Sequence, residues 1–205
     1  MISHALTIVA KELKQHLVDN YNDESSPVVE LGNLAEGFAG GIASLSRDRL
    51  YFSVVNIQEE KTLKNLPHYS VNNTHTTDYE NPPVFINLSI LVTATHKNYT
   101  SALSNLSRVI RFFQFNNVFT QDDVAPDSMS DITIGELDRL ESFKLIFDLY
   151  SPSLEEVNHL WGTLGGKQYP FVLYMLRMLD LKFKAVQGQG GVVEEVVTNF
   201  SHKGC

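Results

Sequence analysis

Cysteine is almost missing from this sequence. The one thiol, Cys205, is the last residue, so no internal disulfide can form and no cysteine-based zinc site is available. A reducing compartment suits such a chain. Long apolar runs are missing too: none approaches the roughly 18 residues that a membrane-spanning helix needs. The opening residues, Met1 to Glu12, have no basic start and place Lys11 and Glu12 where a secretion signal would still be apolar. Neither a secretion signal nor an integral membrane segment is expected. Positive charge is also scarce, with 16 Lys and Arg against 24 Asp and Glu and a formal net charge of −8. No local basic cluster reverses that sign, so the field repels phosphate backbones and nucleic acid is not an expected partner.

What is present is ordinary globular composition: 205 residues, 43 % hydrophobic and 20 % charged. That is enough for one domain with a sizeable core. Residues 2 to 18 place Ile2, Leu6, Val9, Leu13 and Leu17 at steps of three and four, which predicts an amphipathic opening helix. Val28, Val29 and Leu31 predict a short strand ending at Gly32. The β-branched and aromatic run Tyr51 to Ile57 predicts another. The stretch with Gly37, Gly40 and Gly41, and the polar segment from Pro67 to Pro83, both read as loops.

Ile86, Leu88, Ile90 and Val92 alternate with Asn87, Ser89, Leu91 and Thr93, the period of a strand with one face buried. Residues 98 to 113 carry Leu103, Leu106, Val109, Ile110 and Phe113 on one helical face. The brief alternation from Ile132 to Leu137 and the clearer one from Phe143 to Leu149 predict a hairpin. Ser153 with Glu156 makes a capping box for a helix that Gly165 and Gly166 end. Tyr169 to Phe183 is apolar on both faces and reads as a central strand, with a buried helix as the alternative. The fold class is therefore α/β (α+β), a mixed and largely antiparallel sheet flanked by two to three helices. The domain spans 1–183, and a Gly-hinged arm, 184–205, follows, with Gly188, Gly190 and Gly191 as the hinge.

Tests for chemistry fail at named positions. Gly165, Gly166 and Lys167 resemble the end of a phosphate-binding loop, but Trp161 and Gln168 stand where that loop needs Gly and Ser or Thr. Gly188 and Gly190 begin a dinucleotide fingerprint whose third glycine is replaced by Val193. No two of the seven histidines show the i, i+4 spacing of a zinc helix. His68 and His75, with Asp78, form the one cluster worth naming, and it reads as solvated loop residues. No catalytic residue, cofactor or metal site is expected, and the chain does not read as an enzyme.

Two features have an interface reading beside a plain structural one. Glu59 and Glu60 follow the 51–57 strand and point to opposite faces, so they do not form an acid/base pair. They read either as a solvated strand end or as a partner for an Arg or Lys across a subunit boundary. Val192, Val193, Val196 and Val197 read either as a frayed terminus or as a tethered strand that adds to a neighbour's sheet edge. Trp161 reads as a core anchor of its helix.

The chain also resembles a known family. The residues that carry this are Met1, Ile2, Ala5 and Leu6, then Val29 to Asn33 (VELGN) and Val55 to Asn65 (VNIQEEKTLKN). Pro82-Pro83, Tyr99, Ala102-Leu103 and Val109 to Gln114 leading to Val118, Phe119 and Thr120 continue it. Leu160-Trp161-Gly162, Tyr169-Pro170, Leu173-Tyr174, Arg177 and Met178-Leu179 close it. Together they resemble the cap or terminator proteins of contractile injection systems, which are similar to phage tail terminators. Phe171 departs from a Ser common after that proline, a difference that bears on packing. The resemblance covers residues 1 to about 182. It implies a tail-terminator-like fold and a non-enzymatic cap that closes sheath and inner tube at the end distal to the baseplate. Implied partners are other copies in a homohexameric ring, sheath subunits and the inner tube or its terminal protein. The implied setting is the cytoplasm, as part of an assembled particle that can be released. Glu59, Glu60, Arg177 and the valines at 192, 193, 196 and 197 are the expected interface residues. The rival readings are a tube-terminating connector ring and, in another class, a small-molecule-binding α/β enzyme.

Overall fold

A computed structural model describes residues 1–21, 28–38, 45–63, 69–71, 76–79, 81–130, 134–181 and 188–191. Helix α1 (Ile2–Tyr21) buries Leu6, Val9, Leu13 and Leu17 of the stripe read from the sequence, adds Ala5 and Ile8 to it, and leaves Ile2 half-buried. Helix α2 (Tyr99–Phe115) starts at Asn98, whose side chain accepts from the Thr100 N–H, and buries Ala102, Leu106, Val109, Phe112 and Phe113. Both pack on one face of a six-stranded sheet formed by β1 (Val28–Leu31), β2 (Arg49–Glu59), β5 (Val84–Ala94), β6 (Val118–Thr120), β7 (Lys144–Tyr150) and β8 (Phe171–Leu181). Its order is β1-β2-β5-β8-β7-β6, with β1 parallel to β2 and every other pair antiparallel.

The alternation read in β5 decides what each face meets. Ile86, Leu88, Ile90 and Val92 join α1 and α2 in the main core. At its centre Phe113 lies 4.9 Å from Phe147 and 4.5 Å from Tyr174, centroid to centroid, spacings at which aromatic pairs attract beyond their buried area. Leu91 faces the other way, into a smaller cluster with Leu34, Tyr51, Leu173 and Trp161. Trp161 comes from α4 (Leu154–Thr163), which opens with the predicted Ser153–Glu156 capping box and ends where Gly165 and Gly166 take positive φ.

Three expectations change. The segment 67–83 is not all loop: β3 (Tyr69–Val71) and β4 (Thr76–Tyr79) are strands, and Asp78 is buried. They form a second sheet, order β3-β4-β9, with β9 (Gly188–Gly191). The hinge glycines are therefore strand residues opposite Thr76–Tyr79. A Cβ on Gly190 would come within 3.3 Å of the Tyr79 ring, so glycine there serves close approach of two strands. Pairing between segments far apart in sequence overrides the local turn composition. The predicted hairpin also changes partner. Residues 134–140 contain a 3-10 turn at Glu136–Asp138, and β7 pairs instead with β8 and with β6, which directly follows α2. A short helix, α3 (Pro126–Met129), lies between β6 and that turn. Residues 40, 41 and 192–197 lie outside the described residues.

Candidate assembly interface

At one end of the main sheet a polar row crosses four neighbouring strands. Glu60, just past β2, accepts hydrogen bonds from the Thr62 hydroxyl at 2.7 Å and the Thr62 N–H at 3.2 Å through Oε1. Its Oε2 accepts from Asn87 of β5 at 2.8 Å. The Thr62 hydroxyl and Asn87, helped by the Thr62 N–H and the charge of Arg177, hold the Glu60 carboxyl below the usual carboxylate range. Arg177 of β8 donates through Nε to Asp148 of β7 at 2.5 Å, with both side chains about half exposed. The structure thus brings Glu60 and Arg177 into one electrostatic neighbourhood, while Glu59 is exposed beside them. Glu60 has both oxygens engaged within the chain, and Arg177 already has a carboxylate. The row is therefore a fixed pattern of charges and amides. Val192, Val193, Val196 and Val197 lie outside the described residues, as do His68 and His75. Among the described residues no group of three His, Cys, Asp or Glu is placed to hold a metal ion.

Two further features were not singled out in the sequence. The first is a cavity of about 310 Å³ on the face opposite α1 and α2, with Leu34, Phe38, Trp161 and Tyr169 as its apolar lining and Arg47 and Lys167 as its charged lining. Tyr169 lies 5.3 Å from Phe38 and 6.2 Å from Trp161, and the Arg47 guanidinium lies 5.4 Å from the Phe38 ring centre. Trp161 is the expected core anchor, yet its indole N–H has no hydrogen-bond partner among the described residues. Gly165 and Lys167, read only as a failed phosphate loop, belong to this cavity's lining.

The second feature is the 3-10 turn Glu136–Asp138. Leu137 at its centre is 82 % exposed, an apolar side chain between two carboxylates. Around it the chain is tied to the start of α1: His4 is buried, with Nδ1 accepting from the Leu140 N–H at 2.8 Å and Nε2 donating to the Met129 carbonyl at 3.0 Å. The Met1 amino group lies 3.8 Å from Asp138. The alternation that made 132–137 look like a strand is what concealed this turn.

The family described as the Pvc16 N-terminal domain matches residues 5–195. No curated protein matches the chain. Among solved structures, the sheath/tube terminator of the extracellular contractile injection system PVC, in its extended state, shares the fold. Its TM-score is 0.64 at 12 % identity, and the likeness covers 100 % of this chain and 64 % of that one. The chain thus spans just under two thirds of that terminator's length. The tube-terminating cap of the anti-feeding prophage is also similar, with a TM-score of 0.47 at 14 % identity over 74 % of this chain and 49 % of that one.

Proposed function

The chain belongs to the Pvc16 N-terminal domain family, and on that footing we propose that it closes the sheath and inner tube of a contractile injection system at the end distal to the baseplate. Copies form a closed ring, a homohexamer, that contacts the last layer of sheath subunits and the inner tube or its terminal protein. The chain is then a structural component and not an enzyme, built in the cytoplasm as part of the particle and released with it. The observation that carries this reading is the fold shared along the whole chain with a sheath/tube terminator.

The sheet edges support it physically. Among the described residues β1 has a strand neighbour on one side only, and β6 covers just the first three residues of β7. Open edges present unpaired main-chain donors and acceptors, to which a strand from another subunit can add. The polar row of Glu59, Glu60 and Arg177 lies at the end of the same sheet and sets the register of a docking subunit. In this reading the C-terminal arm, 184–205, carries Val192, Val193, Val196 and Val197 to the edge of a sheath subunit. A closed ring of like contacts also stops a lattice that would otherwise keep growing, because its last layer does not repeat the surface it has consumed.

Particles made without this chain should show open ends and a broad length distribution by electron microscopy. Particles of normal length with normally closed ends would overturn the proposal. Deleting residues 192–205, which leaves β9 in place, tests the arm: closed particles of normal length would remove it from the mechanism.

A further inference from the structure

The cavity under α4 and the exposed Leu137 turn are complementary in polarity and charge. The cavity has an apolar floor of Leu34, Phe38, Trp161 and Tyr169, and its charged lining residues are both cations, Arg47 and Lys167. In a chain of net charge −8, such a place selects an apolar group flanked by negative charge. The turn at 136–138 is such a group: Leu137, 82 % exposed, stands between Glu136 and Asp138. We propose that Leu137 of one copy inserts into the cavity of the next, with Glu136 and Asp138 meeting Arg47 and Lys167. This rests on the ring reading above and names the contact that closes the ring.

Position in the fold favours a head-to-tail contact. The turn is tied to the start of α1 through His4 and Leu140, and α1 packs on the Leu88 face of the sheet. The cavity belongs to the Leu91 face, beside the smaller cluster. The two surfaces lie on opposite faces of the same sheet, so one molecule cannot satisfy both with itself. A contact between two different patches repeats from copy to copy and closes into a ring when the rotation allows. The chain just past the turn is anchored, the Leu140 N–H donating to the buried His4, so less loop freedom is lost when the turn docks. The floor supplies three aromatic rings, the side-chain type that dominates central anchor sites, and the indole N–H of Trp161 lies beneath without a partner among the described residues.

The test is a disulfide trap in assembled particles. Ala35, on the cavity lining, and Leu137 are replaced by Ala35→Cys and Leu137→Cys in a Cys205→Ser background, which keeps both cations. Mild oxidation followed by a non-reducing denaturing gel should give a ladder from dimer upward, and each single-cysteine variant should stay monomeric. Arg47→Glu with Lys167→Glu should reduce the ladder about tenfold, and adding Glu136→Lys with Asp138→Lys should restore it. A monomer band from the double-cysteine chain, in particles that still show a terminal ring by electron microscopy, overturns this contact and leaves the ring reading standing. Particles of the unsubstituted chain with no terminal ring overturn the ring reading itself. Dimers from Leu137→Cys alone would mean a two-fold contact and also overturn the proposal.

Discussion

The imidazole of His4 and the backbone N–H of Leu140 are joined by a 2.8 Å hydrogen bond across 136 residues of sequence. His4 donates from its other nitrogen to the Met129 carbonyl, so one ring fastens the end of α3 and the loop at Leu140 to the first turn of α1. Its tautomer is fixed by the bonds: Nδ1 accepts, so the proton is on Nε2. Replacing it by alanine leaves the Leu140 N–H and the Met129 carbonyl without those partners. His4→Ala should lower stability by about 1–3 kcal/mol, read by urea denaturation. In hydrogen exchange, the Leu140 amide should lose protection by more than the global loss explains. An unchanged Leu140 rate would mean that the ring is only a space filler.

Gly32 sits where the chain leaves β1 and crosses toward β2. A Cβ there would stand 2.7 Å from the Tyr51 ring and 2.9 Å from Leu45, while the Gly32 N–H donates to the Phe52 carbonyl at 3.1 Å and its carbonyl accepts from the Ser53 hydroxyl. The backbone is pinned on both sides, and Tyr51 is itself held by its bonds to Ser46. Gly32→Ala should cost about 1–3 kcal/mol through overpacking. Thermal unfolding checks this, and Gly162→Ala, where an added Cβ meets nothing within 4 Å, is the control that should not destabilise.

Stability should fall at both ends of the pH scale for different reasons. Burial holds His96 below its ordinary value of 6.5, with Asp48 offsetting part of the effect. Asn105 donates to its Nε2, and its Nδ1 is buried without a partner among the described residues. The unfolded chain takes up a proton near pH 6.5 that the folded chain resists, so this contribution is lost as pH falls below 6.5 and levels off once the folded group also titrates. Burial pushes Tyr174 up to about 12 from 10.0. The folded state keeps it neutral, so its contribution is complete below pH 10 and is lost as pH rises toward 12. Denaturation midpoints measured across pH should show both slopes. His96→Asn should flatten the acid one and Tyr174→Phe the alkaline one. Slopes unchanged in these variants would assign the pH dependence to other groups.

What the sequence made legible was local. The α1 helix, the β5 alternation and the Ser153 capping box each depend on residues within a few positions of one another, and the structure has them where the periodicity put them. The α2 face is instead rotated, burying Ala102 and Phe112 with Leu106, Val109 and Phe113 and leaving Leu103 and Ile110 exposed. The misread strand pairings share a cause: each depends on a partner outside its own stretch of chain. The Thr76–Tyr79 strand depends on Gly188–Gly191, and β6 is a strand of three residues that takes its identity from β7. Three residues give too little alternation to read. At the candidate interface, Glu60 and Arg177 could be named from the sequence. That Asn87 and Asp148 hold them in one row depends on strand order, which periodicity does not encode. The cavity is further out of reach, since Leu34, Arg47, Trp161 and Tyr169 meet only when β1, β2 and the α4–β8 connection are assembled.

The central claim is a place: the end of the particle distal to the baseplate. The most direct measurement is electron microscopy of particles carrying a compact epitope tag on this chain, decorated with a gold-labelled antibody fragment. The account predicts label at one end only, opposite the baseplate, as a single cluster per particle. Label along the sheath, at the baseplate, or absent from intact particles would contradict it.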